Sequence, residues 1–200
     1  ARRTGPSRTV MSLVVAARAM IDALRREGVP ACLVGGLAVS TRCDPRFTLD
    51  ADLAVVVASD DHAEAVVRSL LAAGYRSGLS VEQEATGRLA MVRLTDDDGM
   101  SLDLLFASSG IEGEVVAEAE SMEVVSGQWL PVARVGHLIA LKLLSVAPGR
   151  ETDYADLRGL ARVADEQEWT RAKAAVTLMT ERGFARGRDL RGDLVRLRHG

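Results

Sequence analysis

The chain has 200 residues, a formal net charge of −3 and 48% hydrophobic side chains, enough for one domain, or a domain with a small appendage, around a real core. The balanced charge argues against a general nucleic-acid coat, and with 4% aromatic residues the core must be built from Val, Leu and Ala. No apolar run is long enough to span a membrane, the start Ala-Arg-Arg-Thr-Gly-Pro lacks a signal-peptide core, and Cys32 and Cys43 form no disulfide pattern; the expectation is a reducing, cytoplasmic setting with no membrane partner.

Residues 7–27 read as an amphipathic helix, with Val10, Leu13, Val14, Ala17, Ile21 and Leu24 at helical spacing. A strand over 31–35, a helix over 36–42 and a loop holding Pro45 follow. A strand is predicted over 50–57, then a helix over 60–73 ending at Gly74, then a strand over 75–81. Residues 88–106 read as a hairpin turning at Asp96-Asp97-Asp98-Gly99. Residues 110–120 read as helix, and Val124-Val125 and Trp129-Leu130 as short strands about Gly127. Beyond this point only helices are predicted, over 134–146, 151–164, 168–182 and 187–197, with breaks at Pro148-Gly149 and Gly183. The expected class is α+β: a mixed sheet flanked by helices over residues 1–132 and a C-terminal helical bundle over 133–200.

The chemistry concentrates in three places. Asp50 and Asp52 stand at i and i+2, so on a strand both carboxylates point to one face. They repel each other unless a cation lies between them, and magnesium accepts one or two carboxylates together with substrate phosphates. The alternative is a pair of solvated residues at a strand start. Asp103 lies mid-strand among leucines, with Leu102, Leu104 and Phe106 on one face and Ser101, Asp103 and Leu105 on the other. It joins the same site, or it pairs with a nearby arginine of this Arg-rich chain. Gly35-Gly36 follows the strand Ala31-Cys32-Leu33-Val34 and opens a helix, which suits a phosphate held on bare backbone N–H groups; it also suits a plain tight turn. Dinucleotide-fold and P-loop glycine signatures are both missing. Lys142 is one of two lysines against 23 arginines. It shares a helix face with Val135, Leu138, Ile139 and Val146, so it must snorkel, contact a triphosphate, or pair with Asp153 or Asp156.

These residues stand in motifs. Gly35 to Arg42 reads GG-L-A-V-S-x-R, Thr48 to Leu53 reads T-L-D-A-D-L, and Leu102 to Leu105 reads L-D-L-L; further on, His137-Leu138-Ile139 leads to Lys142-Leu143, and Arg150 to Leu157 reads R-x-x-D-x-x-D-L. Over roughly residues 15–165 the chain resembles the DNA polymerase-β-type nucleotidyltransferase superfamily, and within it the AbiEii-like branch of abortive-infection and toxin–antitoxin proteins. The resemblance implies a nucleotidyltransferase-type mixed sheet and a reaction in which an acceptor hydroxyl attacks the α-phosphorus of an NTP and releases pyrophosphate. It further implies that Asp50 and Asp52 hold two Mg²⁺ ions, and that Asp103 holds the catalytic one and helps deprotonate the acceptor. Gly35 and Gly36 would carry the triphosphate, and Arg42, Thr48 and Lys142 are nucleotide-binding candidates, Lys142 also a catalytic one. Two departures stand out: Gly-Gly where many members have Gly-Ser, and His137 where an acidic residue is common.

Three functions are compatible with this pattern. The first is an RNA-modifying toxin acting on the 3′ end of tRNA, with an antitoxin protein as partner. Eight basic residues within 171–200, among them Arg182, Arg186, Arg188 and Arg191, offer it phosphate contacts, or form a solvated face or a protein-docking surface. The second is a small-molecule, aminoglycoside-like nucleotidyltransferase, with Glu112, Glu114, Glu118 and Glu120 as an acidic cleft for a polycation. The third is a non-catalytic binding protein on the same fold, against which the intact set of three aspartates argues.

Overall fold

The computed structural model describes residues 8–43, 45–82, 87–147 and 151–200. Ser7, the predicted break at Pro148-Gly149, and Arg150 of the R-x-x-D motif lie outside the described residues.

The architecture is the expected α+β one: a seven-stranded mixed sheet in the order β3-β4-β5-β2-β1-β7-β6. Its strands are β1 (Ala31–Val34), β2 (Asp50–Val55), β3 (Arg76–Glu82), β4 (Leu89–Thr95), β5 (Ser101–Leu105), β6 (Glu120–Val125) and β7 (Gln128–Val132). β2 runs parallel to β5 and β1 parallel to β7; the other neighbours are antiparallel. The helices are α1 (Arg8–Arg26), α2 (Gly35–Arg42), α3 (Asp60–Ala72), α4 (Glu112–Ala117), α5 (Val135–Ser145), α6 (Glu151–Val163), α7 (Glu166–Glu181) and α8 (Leu190–His199). After Val132 the described chain contains only helices.

The strand alternation decides where chemistry can sit. Ala51 and Leu53 on β2, Leu102 and Leu104 on β5, and Val92 and Leu94 on β4 are all buried. Those positions form the core face, against which the apolar stripe of α1 packs with Leu13, Ala17 and Leu24. The intervening positions, Asp50, Asp52, Asp103 and Arg93, therefore project from the opposite face. The β4–β5 hairpin turns where Asp-Gly was expected. Gly99 takes φ +81°, and the Asp96 side chain accepts the Met100 amide at 2.8 Å. β3 is the sheet's edge and all seven of its residues are exposed, so its weak apolar signal reflects a strand without a buried face.

Among the helices, α5 and α7 approach closely because Gly136 has no side chain: a Cβ there would run into the α7 backbone at Glu168. Its amide instead donates to Glu168 Oε2 at 2.6 Å. Cys32 lies in the core, where burial pushes its thiol up to about 12. No helix among the described residues is long and apolar enough to cross a membrane.

Candidate active site

The three aspartates meet because of register. Asp52 is opposite Asp103 in the parallel β2–β5 pair, and Asp103 is opposite Arg93 in the antiparallel β5–β4 pair. Asp52, Asp103 and Arg93 thus form one row across the sheet, with Asp50 one strand period away on the same face. Arg93 makes a two-pronged ion pair with Asp103, Nε to Oδ1 at 2.7 Å and Nη2 to Oδ2 at 2.6 Å. The same Nη2 lies 3.5 Å from Asp50 Oδ2, so one guanidinium bridges two of the three carboxylates. Asp103 is buried, and the bidentate pairing explains how a carboxylate survives there.

Asp52 occupies the N-terminal end of α2. Val34, the N-cap, offers no side-chain bond; the Asp52 carboxylate stands against the turn instead. Gly35 adopts φ +62°, and a Cβ there would fall inside that carboxylate. The diglycine is thus required by both backbone conformation and close approach. Burial pushes Asp52 up to about 7, with Asp50 and then Asp103 adding to the rise; Lys142 and the Gly36 amide pull the other way. The glycine turn was expected to offer bare N–H groups to a phosphate, and the Asp52 carboxylate lies against that same turn.

Around this centre lies a cationic shell. Lys142 takes the ion-pair alternative, with Nζ 2.7 Å from Asp153 and 2.9 Å from Asp156, both buried. Asp156 also holds Arg46 through two bonds of 2.7 and 2.9 Å. The Arg46 guanidinium lies against Gly36, where a Cβ would come 2.5 Å from Nη2. A cavity of about 890 Å³ between α2, α6 and α8 shares Arg46 and Asp156 with this shell, but none of the three aspartates lines it.

Of the other nucleotide-binding candidates, one stands away from the aspartates and one against them. Arg42 closes the far end of α2, about 10 Å along the helix from Gly35. Its guanidinium binds the Ala133 and Val132 carbonyls at 2.9 and 3.1 Å and Glu120 at 2.6 Å, and so clamps α2 to the β6–β7 hairpin. Thr48 is buried, with its hydroxyl 3.1 Å from Asp50 Oδ1 and 3.2 Å from the Asp50 carbonyl. In that position it orients a site carboxylate.

Sequence reasoning did not name Arg93 or Arg46. For Arg93 a signal existed: the Asp-Gly turn sets the hairpin register, and that register places residue 93 opposite residue 103. Arg46 sits in an irregular loop, where no periodicity points to it.

The acidic and basic groups assigned to acceptors largely engage each other. Arg182 pairs with Glu114 at 2.6 Å, Arg171 with Glu118 at 2.6 Å, and Arg42 and Arg134 with Glu120 at 2.6 and 2.7 Å. Hydrogen bonds from Arg182, Arg171 and Arg42 hold Glu114, Glu118 and Glu120 below their usual range. Glu112 is buried and accepts the Ser108 and Ser109 amides. In the tail, Arg186 binds the Ser108 carbonyl, Arg188 the Val146 carbonyl and Asp193, and Arg191 approaches Glu181 at 3.6 Å.

The implied magnesium fits the site only in part. Asp50 and Asp52 share a face and repel, and so meet the need for one or two carboxylates. Asp103 does not fit as placed, since Arg93 engages both its oxygens. Among the described residues no three His, Cys, Asp or Glu side chains are disposed to hold one ion together.

No family model matches the chain, and no curated protein matches it. Solved structures do. The chain is similar to an antigenic nucleotidyltransferase-like protein from Paracoccidioides brasiliensis, at 16% identity and TM-score 0.49, covering 96% of this chain and 93% of that one. It is similar to a putative nucleotidyltransferase from H. pylori, at 18% identity and TM-score 0.47, with the same coverage. A third is ANT(2")-Ia in complex with adenylyl-2"-tobramycin, at 17% identity and TM-score 0.48, covering 83% of this chain and 98% of that one. These neighbours are nucleotidyltransferases or nucleotidyltransferase-like proteins. Likenesses this distant carry no argument about activity, which has to come from the residues of the site.

Proposed function

We propose that this chain is a metal-dependent nucleotidyltransferase that moves a nucleoside monophosphate from an NTP to an acceptor hydroxyl. The observation that carries the reading is the alignment of Asp50, Asp52 and Asp103 on one sheet face, beside a glycine turn. Asp50 and Asp52 would hold a divalent ion, which when bound neutralises phosphate charge. Gly35 leaves room for the Asp52 carboxylate against the turn, and Arg46 and Lys142, both held by Asp156, stand behind the turn as donors a triphosphate could recruit. Asp103 keeps a lone pair on each oxygen beyond its Arg93 bonds, enough to accept a hydrogen bond from the acceptor hydroxyl and orient it for attack. Catalysis of this kind is mostly positioning and charge neutralisation.

For the acceptor we favour RNA, with the 3′ end of tRNA as the substrate of a toxin. Support comes from the sequence resemblance and from Phe47 and Leu49, which flank Thr48 just before Asp50 and are 64% and 68% exposed. An exposed aromatic ring beside the carboxylates is suited to stacking on a base. The basic tail adds little, because its arginines are engaged within the chain. The aminoglycoside-like alternative loses its acidic cleft for the same reason. An antitoxin partner and the AbiEii-like branch rest on the resemblance alone.

The test is incubation with each α-labelled NTP and Mg²⁺, with total RNA in one arm and aminoglycosides in the other. Label on an RNA band is expected. Label only on the aminoglycoside would overturn the acceptor, and label on neither the transferase reading.

A further inference from the structure

Arg93 belongs to no motif and no role assigned above, yet it is the group in closest contact with Asp103. Its position is built rather than incidental. It faces Asp103 directly across the β4–β5 pair, in the middle of both strands. On its other side β3 bulges between Ser77 and Ser80, and Gly78 lies against the Arg93 backbone and side-chain stem, where a Cβ would stand 3.5 Å from the carbonyl and 3.6 Å from Cγ.

Formal charge gives the arrangement its meaning. Asp50, Asp52 and Asp103 carry three negative charges and Arg93 returns one positive, leaving two. Lys142 and Arg46 do not change that count, because Asp153 and Asp156 balance them. One divalent ion neutralises the remainder. A second would have to displace a guanidinium bonded to both Asp103 oxygens, from a pairing of the strongest hydrogen-bonding class.

We propose that the Arg93 guanidinium takes the place of a second divalent ion in this cluster. The chain then holds one ion, at Asp50 and Asp52, and closes the Asp103 side with its own cation. This rests on the reading above that Asp50 and Asp52 bind a metal. Arg93 acts as a positioning residue: it fixes the Asp103 carboxylate in the row and supplies the charge that a second ion would bring.

The experiment counts ions without turnover. Purified protein is titrated with Mn²⁺ and the bound ion is followed by electron paramagnetic resonance, for wild type, Arg93→Gln, Asp103→Asn and the double variant. The wild type is expected to bind one Mn²⁺ per chain. Asp103→Asn should also bind one, since Asp103 is not a ligand while Arg93 holds it. Arg93→Gln, which removes the charge and keeps an amide donor on a shorter side chain, should bind two, and the double variant one again. Should Arg93→Gln not fold, the Asp103→Asn count still decides: loss of the wild-type ion in that variant would make Asp103 a ligand and overturn the assignment. Two ions in the wild type, or one in folded Arg93→Gln, would also overturn it while leaving the metal reading intact. No bound Mn²⁺ in any variant would remove the metal reading, and this inference with it.

Discussion

Replacing Asp52 with asparagine should stabilise the metal-free protein, by an amount set by pH. Asp52 is pushed up to about 7, first by burial and then by Asp50 and Asp103. An unfolded aspartate titrates near 3.9, so the difference is about three pKa units at ~1.4 kcal/mol each, or up to ~4 kcal/mol. The folded pKa lies above the unfolded one, so the folded state binds more protons between about pH 4 and pH 7. Wild-type stability is therefore highest, as far as this group is concerned, below about pH 4. It falls as pH rises through 7, where the full cost of the ionised carboxylate is present. Asparagine never ionises and keeps the size of the side chain, so the gain should be near zero at about pH 4 and rise to at most ~4 kcal/mol by about pH 8. In a chain of this size each kcal/mol shifts Tm by roughly 2–4 °C. Urea melts of both proteins at about pH 4, 6 and 8, with and without Mg²⁺, measure this, and Mg²⁺ should narrow the gap by stabilising only the wild type. A gain that is constant with pH, or that grows toward acid, would refute the burial and like-charge argument.

Gly35→Ala should cost about 1–3 kcal/mol from the positive φ alone and displace Asp52, so a melt and a nucleotide titration should both show a loss. Asp156→Ala leaves Arg46 and Lys142 short of a buried partner and should cost roughly 3–5 kcal/mol by urea denaturation, far more than a surface substitution. Arg182→Ala breaks a half-exposed pair with Glu114 and should lower stability by no more than about 1 kcal/mol, while the salt dependence of RNA binding stays unchanged; a flattened slope would return the tail to the RNA interface.

Much of this molecule was legible from local patterning. The alternation of Leu102, Asp103 and Leu104, and the pair Asp50 and Asp52, placed three carboxylates on strands, and the strands carry them to one face. The Asp-Gly turn announced the β4–β5 hairpin, and the loss of all strand signal after Leu130 marked the change to helices. What local pattern could not carry was pairing over long separations. Arg42 sits in a motif but faces Ala133 and Glu120, 91 and 78 residues away in sequence. Arg46 depends on Asp156 of α6, and the acids of α4 meet arginines of α7 and its C-terminal turn only once the helices pack. Lys142 lies between these cases: its scarcity and apolar helix face required a partner, and helical spacing named Asp153 and Asp156 without choosing between them and a triphosphate. The structure gives it both aspartates.

The most direct test of the account is pyrophosphate release from NTP, with Mg²⁺ and an RNA acceptor, by wild type beside Asp50→Asn. Asp50 is the carboxylate whose loss leaves the glycine turn, the packing of Asp52 against Gly35 and the Arg93–Asp103 pair in place, so the fold should be kept. The account predicts release by the wild type and a loss of at least a hundredfold in the variant, a barrier increase of about 2.7 kcal/mol or more. Release by Asp50→Asn at the wild-type rate would contradict it.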